Sequence, residues 1–573
     1  MRARWLGRVP YEEALALQQA MSARAEGDYL LLLEHPAVYT LGRNAKSDNV
    51  LVDPSEVGAK LVHVDRGGDV TYHGPGQLVG YPLISVGPGL QRGAEHVRRV
   101  EQVVIDALVS LGVKSVDVGR LPGYPGVWIG LEEAGGRQPR KLCAVGVRTA
   151  KGRTTHGFAL NVNTDLAMFA NIVPCGISDK SVTSLAAEGL DLRMTEVVDA
   201  VIRSAEAMWG ATDSEQRVVA AATATALAAQ SPVAAPTGPL GPSATPERVP
   251  VTLGRRPTGV RALDRRLQRA GVDPDGGVDI AERKPSWLRV KAKMGGEYLG
   301  LQHEIRDLGL ITVCEEAGCP NIYECWSDGT ATFMINGSRC TRACGFCQVD
   351  TRHPLPLDAD EPQRVAEAVA RMGLAHAVIT CVARDDLYDG GASGFVATIA
   401  AIRDVAPRTK IEVLISDCKG DASSLRSIFD ARPDVLNHNI ETVARLQRAV
   451  RPSAGYARSL AVLARAKSAG LTTKSGIILG MGEGENEVIA TLEDLRAVGV
   501  DIVTVGQYLR PSQLHLPVAR WWAPEEFESI RRAGMAMGFA HVQSSPLTRS
   551  SYHAREASEA SIPDVASPLA VAL

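Results

Sequence analysis

Thr332-Phe333-Met334-Ile335-Asn336-Gly337-Ser338-Arg339-Cys340-Thr341-Arg342-Ala343-Cys344-Gly345-Phe346-Cys347 sets a short apolar run before three closely spaced cysteines. The run predicts a buried strand, and the cysteines occupy the loop after it. Comparable runs recur at residues 377–382, 411–416, 435–440, 472–479 and 502–507, alternating with helical segments. Six βα units of this kind predict a partial (β/α)6 TIM-type barrel, which gathers its ligands at the C-terminal ends of its strands. The Cys340 loop lies at that end of the first strand.

A second triplet, Cys314, Cys319 and Cys325, precedes it with wider spacing. Thiolates grouped this closely are soft ligands for iron-sulfur clusters or zinc. Three thiolates leave one iron of a four-iron cluster open, which suggests reaction rather than electron storage. On spacing alone, a zinc site pooling both triplets is the alternative. Ten cysteines in 573 residues are too sparse for a disulfide framework. Cys381 and Cys418 fall in strand regions and read as small core residues.

A hydrophobic share of 45% with 22% charged residues is that of a globular chain, long enough for roughly two to four domains. The net charge of -3 gives no argument for nucleic acid or an anionic membrane. No apolar stretch approaches the ~18 residues of a spanning helix, and residues 1–20 lack a signal-peptide run, so the expected location is cytoplasmic.

Residues 212–247 are rich in Ala, Pro, Ser, Thr and Gly, without an apolar face, and read as a flexible linker. As a coil, ~36 residues span about 30 to 35 Å, enough for two independent domains to face a shared partner without docking to each other. Those domains are residues 1–211 and 248–555, with 248–283 as an N-terminal extension of the second. Residues 556–573 read as a poorly ordered tail. In the first domain, strand-like runs at 29–33 and 142–148 mix with an amphipathic helix carrying Val97, Val100, Val104, Leu108 and Leu111, which predicts a mixed α/β fold. Residues 142–148 and 154–162 read as a hairpin across Lys151-Gly152-Arg153.

Arg66-Gly67-Gly68-Asp69-Val70-Thr71-Tyr72-His73-Gly74-Pro75-Gly76-Gln77 is a glycine- and donor-rich loop whose backbone can approach a ligand closely. It lacks the Gly-Lys-Ser/Thr ending of a P-loop. Downstream, Lys141 opens a strand and Cys175 sits in the turn Pro174-Cys175-Gly176. An ammonium favours the thiolate, and the pair suits covalent acyl transfer to an amine. An inert buried thiol is the alternative for a cysteine taken alone. At the strand ends of the second domain, Asp389, Asn437, Glu441 and Lys474 are candidates for a cofactor pocket, with hydrogen-bonded strand-end groups as the alternative.

The Cys340 to Cys347 segment resembles the cluster loop of radical S-adenosylmethionine enzymes. There, three thiolates hold a 4Fe-4S cluster whose open iron chelates the methionine group, and one electron yields a 5′-deoxyadenosyl radical. Lys284-Pro285-Ser286-Trp287-Leu288-Arg289, Thr312-Val313-Cys314-Glu315-Glu316-Ala317-Gly318-Cys319-Pro320-Asn321, Gly329-Thr330-Ala331-Thr332-Phe333-Met334 and Arg549-Ser550-Ser551-Tyr552-His553-Ala554 narrow the likeness, over residues 284–555, to lipoyl synthase. The resemblance implies two 4Fe-4S clusters. Cys340, Cys344 and Cys347 would hold one, and Cys314, Cys319, Cys325 and Ser550 an auxiliary cluster that donates sulfur to C6 and C8 of a protein-bound octanoyl chain. A hard serine oxygen is a weak ligand to such a cluster and can leave; outside that motif Ser550 would read as a cap. Two departures from the family pattern are Asn336, where an apolar residue is expected, and Ser416-Asp417-Cys418 in place of a Pro-Asp-Phe turn.

Arg66 to Gln77, Lys141 to Gly146, His156-Gly157-Phe158-Ala159-Leu160-Asn161 and Pro174-Cys175-Gly176 together resemble lipoyl(octanoyl) transferase, which has the biotin/lipoate ligase fold. The likeness covers residues 11–209. It implies that Cys175 carries the octanoyl thioester and Lys141 lowers its pKa. Arg66, Gly67, Gly68, Asp69, Val70, Thr71, Tyr72 and His73, with Ala144, Val145, Gly146, Gly157, Phe158 and Ala159, would line the acyl channel. An ATP-using ligase shares the fold, and Cys175 separates the two readings. The implied partners are octanoyl-acyl carrier protein, the lipoyl domains of 2-oxoacid dehydrogenase E2 subunits, the glycine cleavage H protein and a low-potential electron donor. The competing readings are an iron-sulfur redox module in the second half and an inactive lipoyl-domain docking module in the first.

Overall fold

The computed structural model describes residues 1–86, 90–132, 138–174, 180–210, 258–289, 310, 312, 319, 321–327 and 329–560. The predicted linker, Cys175 and Cys314 lie outside them.

The first half is built on an eight-stranded sheet. Its strands are β1 (Arg2–Arg8), β2 (Tyr29–Glu34), β6 (Gln77–Leu83), β7 (Val118–Leu121), β8 (Tyr124–Ile129), β9 (Arg140–Ala150), β10 (Arg153–Asn161) and β11 (Ser181–Val182), in the order β1-β2-β6-β10-β9-β8-β7 with β11 beside β9. A three-stranded sheet of β3 (Val38–Leu41), β4 (Lys60–His63) and β5 (Val70–His73) adjoins it. The predicted hairpin is present: β9 and β10 pair antiparallel from Arg153↔Ala150 to Leu160↔Cys143. Lys151 and Gly152 both take positive φ, 51° and 77°, as a tight two-residue hairpin turn requires. Helices α2 (Leu90–Ser110) and α3 (Met194–Trp209) pack together on this half, burying Val100, Val104, Leu108, Val197 and Val201.

The second half is a mixed α/β unit on seven parallel strands: β12 (Thr330–Ile335), β13 (His376–Cys381), β14 (Lys410–Leu414), β15 (Val435–Asn437), β16 (Thr472–Leu479), β17 (Ile502–Gln507) and β18 (His541–Ser544). They pair in chain order, and no closing β12–β18 pair is present among the described residues, so the barrel is open. The sequence reading found six of these strands and missed β18, whose four residues include His541 and Gln543 and so carry little apolar signal. The tail also differs from expectation up to residue 560, because Ala554–Ala560 is helical and buries Ala554 and Ala557.

Helix α1 (Tyr11–Arg24) docks the two halves on each other, a point the sequence reading left open. It buries Tyr11, Glu13, Ala14, Leu17, Gln18, Ala20 and Met21, which take up about half of the helix circumference rather than a narrow stripe. Such a helix needs cover on more than one side. One side packs on β10 and β6, the other on the Tyr456–Ser468 helix of the second half, and a single apolar core joins Leu17, Met21 and Leu31 to Leu460, Leu463 and Val488. Fully burying a leucine or methionine contributes about 1.5–3 kcal/mol, so a shared core of this kind outweighs what a flexible tether would leave free. Charges finish the contact. Arg4 Nε donates to Asp494 Oδ1 at 2.9 Å, with the two side chains 5% and 2% exposed, and Tyr456 donates to Asp494 Oδ2 at 2.9 Å.

Candidate active sites

The hairpin brings two predicted tripeptides into register: Ala144, Val145 and Gly146 on β9 face Ala159, Phe158 and Gly157 on β10. With Arg66, Gly67, Gly68, Asp69, Thr71 and His73 they line a cleft of about 480 Å³, part of it open to solvent. Gly157 is required there, since a Cβ would sit 2.1 Å from the Gly80 carbonyl oxygen. Val70 and Tyr72 do not line the cleft. Side chains alternate along a strand, so these two point from β5 into a small core with Tyr39, Leu41 and Phe169. The sequence reading missed Tyr11, Val79, Tyr81 and the side chain of His156 as wall residues. Tyr11 and Tyr81 come from elements that show no motif.

The cleft floor is held by a chain of hydrogen bonds with fixed direction. Arg66 donates to the Thr40 carbonyl at 2.8 Å and to Thr40 Oγ1 at 2.9 Å. Thr40 Oγ1 lies 3.4 Å from His73 Nε2, and His73 Nδ1 lies 2.8 Å from Gln77 Oε1. Gln77 Nε2 donates to Asn161 Oδ1 at 2.9 Å, and Asn161 Nδ2 to the Thr183 carbonyl at 2.9 Å. Because the Gln77 oxygen only accepts, His73 carries its proton on Nδ1 and takes the Thr40 hydroxyl at Nε2. Burial, helped by nearby His35 and Arg66, holds His73 well below the usual histidine range, so it is neutral. His35, between the Val9 carbonyl and the Tyr81 hydroxyl at 2.7 Å each, is pushed down by burial to about 4.

Lys141 is buried on β9, with its ammonium 5.2 Å from the centre of the Trp128 ring. Its strand neighbour is Val182 on β11. Pro174 and Lys180 bound the segment that holds Cys175, and Val173 is tied to Asn49 at 2.8 Å on the other side.

In the second half, β12 ends at Ile335, and the next residue, Asn336, has a left-handed φ of 67°. Asparagine tolerates that conformation where an apolar residue would not. Its side chain donates to the Gly391 carbonyl at 3.0 Å, so the departure from the family pattern ties β12 to the Asp389-Gly390-Gly391 turn. The Cys340 loop then leaves the C-terminal end of the strand, as expected. Its backbone is pinned by Cys340 to Asp350, Thr341 to Ala383, Gly345 to Val450 and Leu516 to Gly345. Cys340 Sγ accepts from the Arg342 and Ala383 amides at 3.4 and 3.3 Å. Burial pushes the Cys344 thiol up and that of Cys347 to about 12, so forming thiolates there calls for a cation. No three ligand side chains among the described residues converge on a single-ion site.

Two buried acceptors beside this loop have no partner, Glu441 Oε2 and Asn439 Oδ1. Burial raises Glu441 against the opposing charge of Arg451, and the charges of Glu441 and Arg451 both act on Cys344. Thiol-rich backbone, amide-to-sulfur bonds and unpaired acceptors fit a cluster with a donor-bearing ligand. The other predicted pocket residues have partners of their own. Asp389 accepts from the Gly391 and Ser393 amides at the start of the next helix. Inside the barrel, Lys474 pairs with Glu412 at 3.0 Å, both at most 1% exposed, and Asn437 donates to Glu412 at 2.9 Å.

The C-terminal motif folds back onto the Ile322–Ser327 helix, which carries Cys325. Asn321 donates to the Leu547 carbonyl at 2.7 Å, and Tyr552 to Glu324 at 3.1 Å. Arg549 is half-buried and its charge reaches Cys319. Half-buried Ser550 therefore lies on the segment packed beside two of the predicted auxiliary ligands. Cys418, at φ 43°, and Cys381 are free thiols near the first loop.

Residues 10–206 match the lipoyl protein ligase A/B catalytic domain, residues 274–319 the N-terminal domain of lipoyl synthase, and residues 334–495 the radical SAM superfamily. Lipoyl synthase of Rubrobacter xylanophilus is 56% identical over 278 residues, covering 48% of this chain and 87% of its own. That of Mycobacterium ulcerans is 55% identical over 273 residues, covering 48% and 84%. A bipartite lipoate protein ligase from Thermoplasma acidophilum superposes on 36% of this chain and 82% of its own, with 20% identity and a TM-score of 0.30. The chain belongs to the lipoyl synthase family of radical SAM enzymes and carries, in front of that enzyme, a lipoyl protein ligase A/B-type catalytic domain.

Proposed function

We propose that the chain builds the lipoyl cofactor in two consecutive steps on one lipoyl domain, with residues 1–211 as octanoyltransferase and 248–555 as sulfur-inserting synthase. In the first step the Cys175 thiolate attacks the thioester of octanoyl-acyl carrier protein. The carrier thiol leaves, and the octanoyl group becomes a Cys175 thioester. A lipoyl-domain lysine then attacks that carbonyl, the amide forms, and the Cys175 thiol is regenerated. The Lys141 ammonium favours the thiolate. Beyond Arg66 the cleft floor is uncharged, with neutral His35 and His73, which suits an apolar acyl chain.

The observation that supports this reading best is the β11 pairing, which sets Val182, seven positions after Cys175, against Lys141. In the second half, Cys340, Cys344 and Cys347 would hold a SAM-binding 4Fe-4S cluster. Cys314, Cys319, Cys325 and Ser550 would hold an auxiliary one. When bound, these groups supply hydrogen-atom abstraction and the inserted sulfur. Glu441 and Asn439 would accept hydrogen bonds from the S-adenosylmethionine, and an external low-potential donor would supply electrons. The expected acceptors are the lipoyl domains of 2-oxoacid dehydrogenase E2 subunits and the glycine cleavage H protein.

The transferase step is tested by peptide mass analysis of the full chain after incubation with octanoyl-acyl carrier protein and no ATP. An octanoyl adduct on the Cys175 peptide, lost in Cys175→Ala, is expected. Lipoyl-domain octanoylation that requires free octanoate and ATP would make the first half a ligase instead.

A further inference from the structure

Helix α1 touches both halves. Tyr11 lines the acyl cleft, while Glu13, its side chain 6% exposed, accepts from Arg458 Nε of the second half at 2.7 Å. Arg458 NH1 lies 3.8 Å from Asp417 Oδ2. Asp417 Oδ1 takes Arg342 NH2 at 2.5 Å, and Arg342 grips Asp385 through two bonds of 2.7 and 2.8 Å. Arg342 stands midway between Cys340 and Cys344. Five charges thus alternate in sign from the acyl-transfer half to the cluster loop: Glu13, Arg458, Asp417, Arg342 and Asp385.

Asp417 is the contested member. It is completely buried, its Oδ2 accepts no hydrogen bond, and two guanidinium groups approach it, one in contact and one short of contact. A buried carboxylate oxygen without a partner attracts any cation free to move. Arg458 is kept short of it by its bond to Glu13.

We propose that Glu13, a residue of the transferase half, is a positioning residue for the radical half. By holding Arg458 off Asp417 it reserves Asp417 for Arg342, and Arg342 in turn fixes the loop that carries Cys340, Cys344 and Cys347. The proposal rests on reading that loop as the cluster site. Without the Glu13 charge, Arg458 closes on Asp417, competes with Arg342 and loosens the loop.

Hydrogen exchange of the peptide spanning residues 338–352, in the full chain without iron, tests this independently of any cofactor. Glu13→Gln should speed exchange there by roughly two- to thirtyfold, the range expected for coupling through a packed network. Glu12→Gln, which removes only an exposed pair with Lys60, should leave it unchanged. The double variant E13Q/R458Q, which also removes the competitor, should return to within about twofold of the parent. In the iron-loaded chain the same series should raise and then restore KM for S-adenosylmethionine while octanoyl loading of Cys175 stays constant. Unchanged exchange in Glu13→Gln, or a double variant as fast as the single one, would overturn the proposal. Normal exchange behaviour with no S-adenosylmethionine cleavage in the parent would instead refute the reading of the loop.

Discussion

The acyl cleft and the cluster loop are held by opposite kinds of interaction. The cleft floor runs from Arg66 through Thr40, His73, Gln77 and Asn161 as donors and acceptors that are neutral beyond the first member. The cluster loop is fixed by the buried charges of Arg342 and Asp417 and the half-buried Asp385, and keeps unpaired acceptors at Glu441 and Asn439. On the proposed function, the difference follows from the cargo. An octanoyl chain gains nothing from charge, and a neutral network fully satisfied inside the protein does not compete for it. A cluster and a zwitterionic cofactor need a stiff, polar frame with bonds left to make.

The largest effects should separate the two regions cleanly. Cys344→Ala should reduce 5′-deoxyadenosine formation to background while the octanoyl adduct on Cys175 still forms; Cys175→Ala should do the reverse. Loss of both products in either variant would mean that the sites fail together and are not chemically distinct.

Next in size is the contact between the halves. Arg4→Ala leaves Asp494 buried without its cation, which should cost about 3–5 kcal/mol. Urea unfolding followed by intrinsic fluorescence should show the midpoint fall. An unchanged midpoint would mean that α1 and the shared apolar core dock the halves without help from charge. Asn161→Ala should be milder, about 1–3 kcal/mol, because it strands the Gln77 amide in the cleft floor.

The effect that is smallest near neutral pH, and grows on acidification, concerns buried histidines. Burial depresses His35 from 6.5 to about 4 and His438 likewise to about 4, so the folded chain keeps both neutral where the unfolded chain protonates them. Their contribution is complete above 6.5 and is lost as pH falls from there toward 4, by up to about 1.4 kcal/mol per pH unit for each group. His35→Gln should flatten that slope. Asp417 behaves similarly lower down: burial opposes its ionisation, but Arg342 prevails and holds it below 3.8, so its share is full above that value and disappears beneath it.

Much of this was legible in the residues themselves. Glycines at 146 and 157 and the cysteine spacing mark local geometry, and local geometry is what a single chain segment can encode. The parallel βα alternation was likewise readable from short apolar runs. What escaped was long-range or unpatterned. Arg4 and Asp494 are 490 positions apart, and nothing near either one names the other. Helix α1 carries Glu13 and Gln18 on its buried face and Leu15 and Ala16 off it, so its periodicity is blurred and gave no sign of the second partner. Strand β18 is short and carries polar residues, and Val70 and Tyr72 sit inside the right motif but on the wrong face of the strand. Arg342 was visible only as a residue between two ligands; its role appears once β13 and β14 bring Asp385 and Asp417 to it.

The most direct test of the account is the intact mass of an apo lipoyl domain incubated anaerobically with the cluster-loaded full chain, octanoyl-acyl carrier protein, S-adenosylmethionine and a strong reductant. The account predicts the mass of the lipoylated domain, with the octanoylated form as a transient. A domain that stays unmodified, or one that halts at octanoyl and is not converted even when supplied already octanoylated, would contradict it.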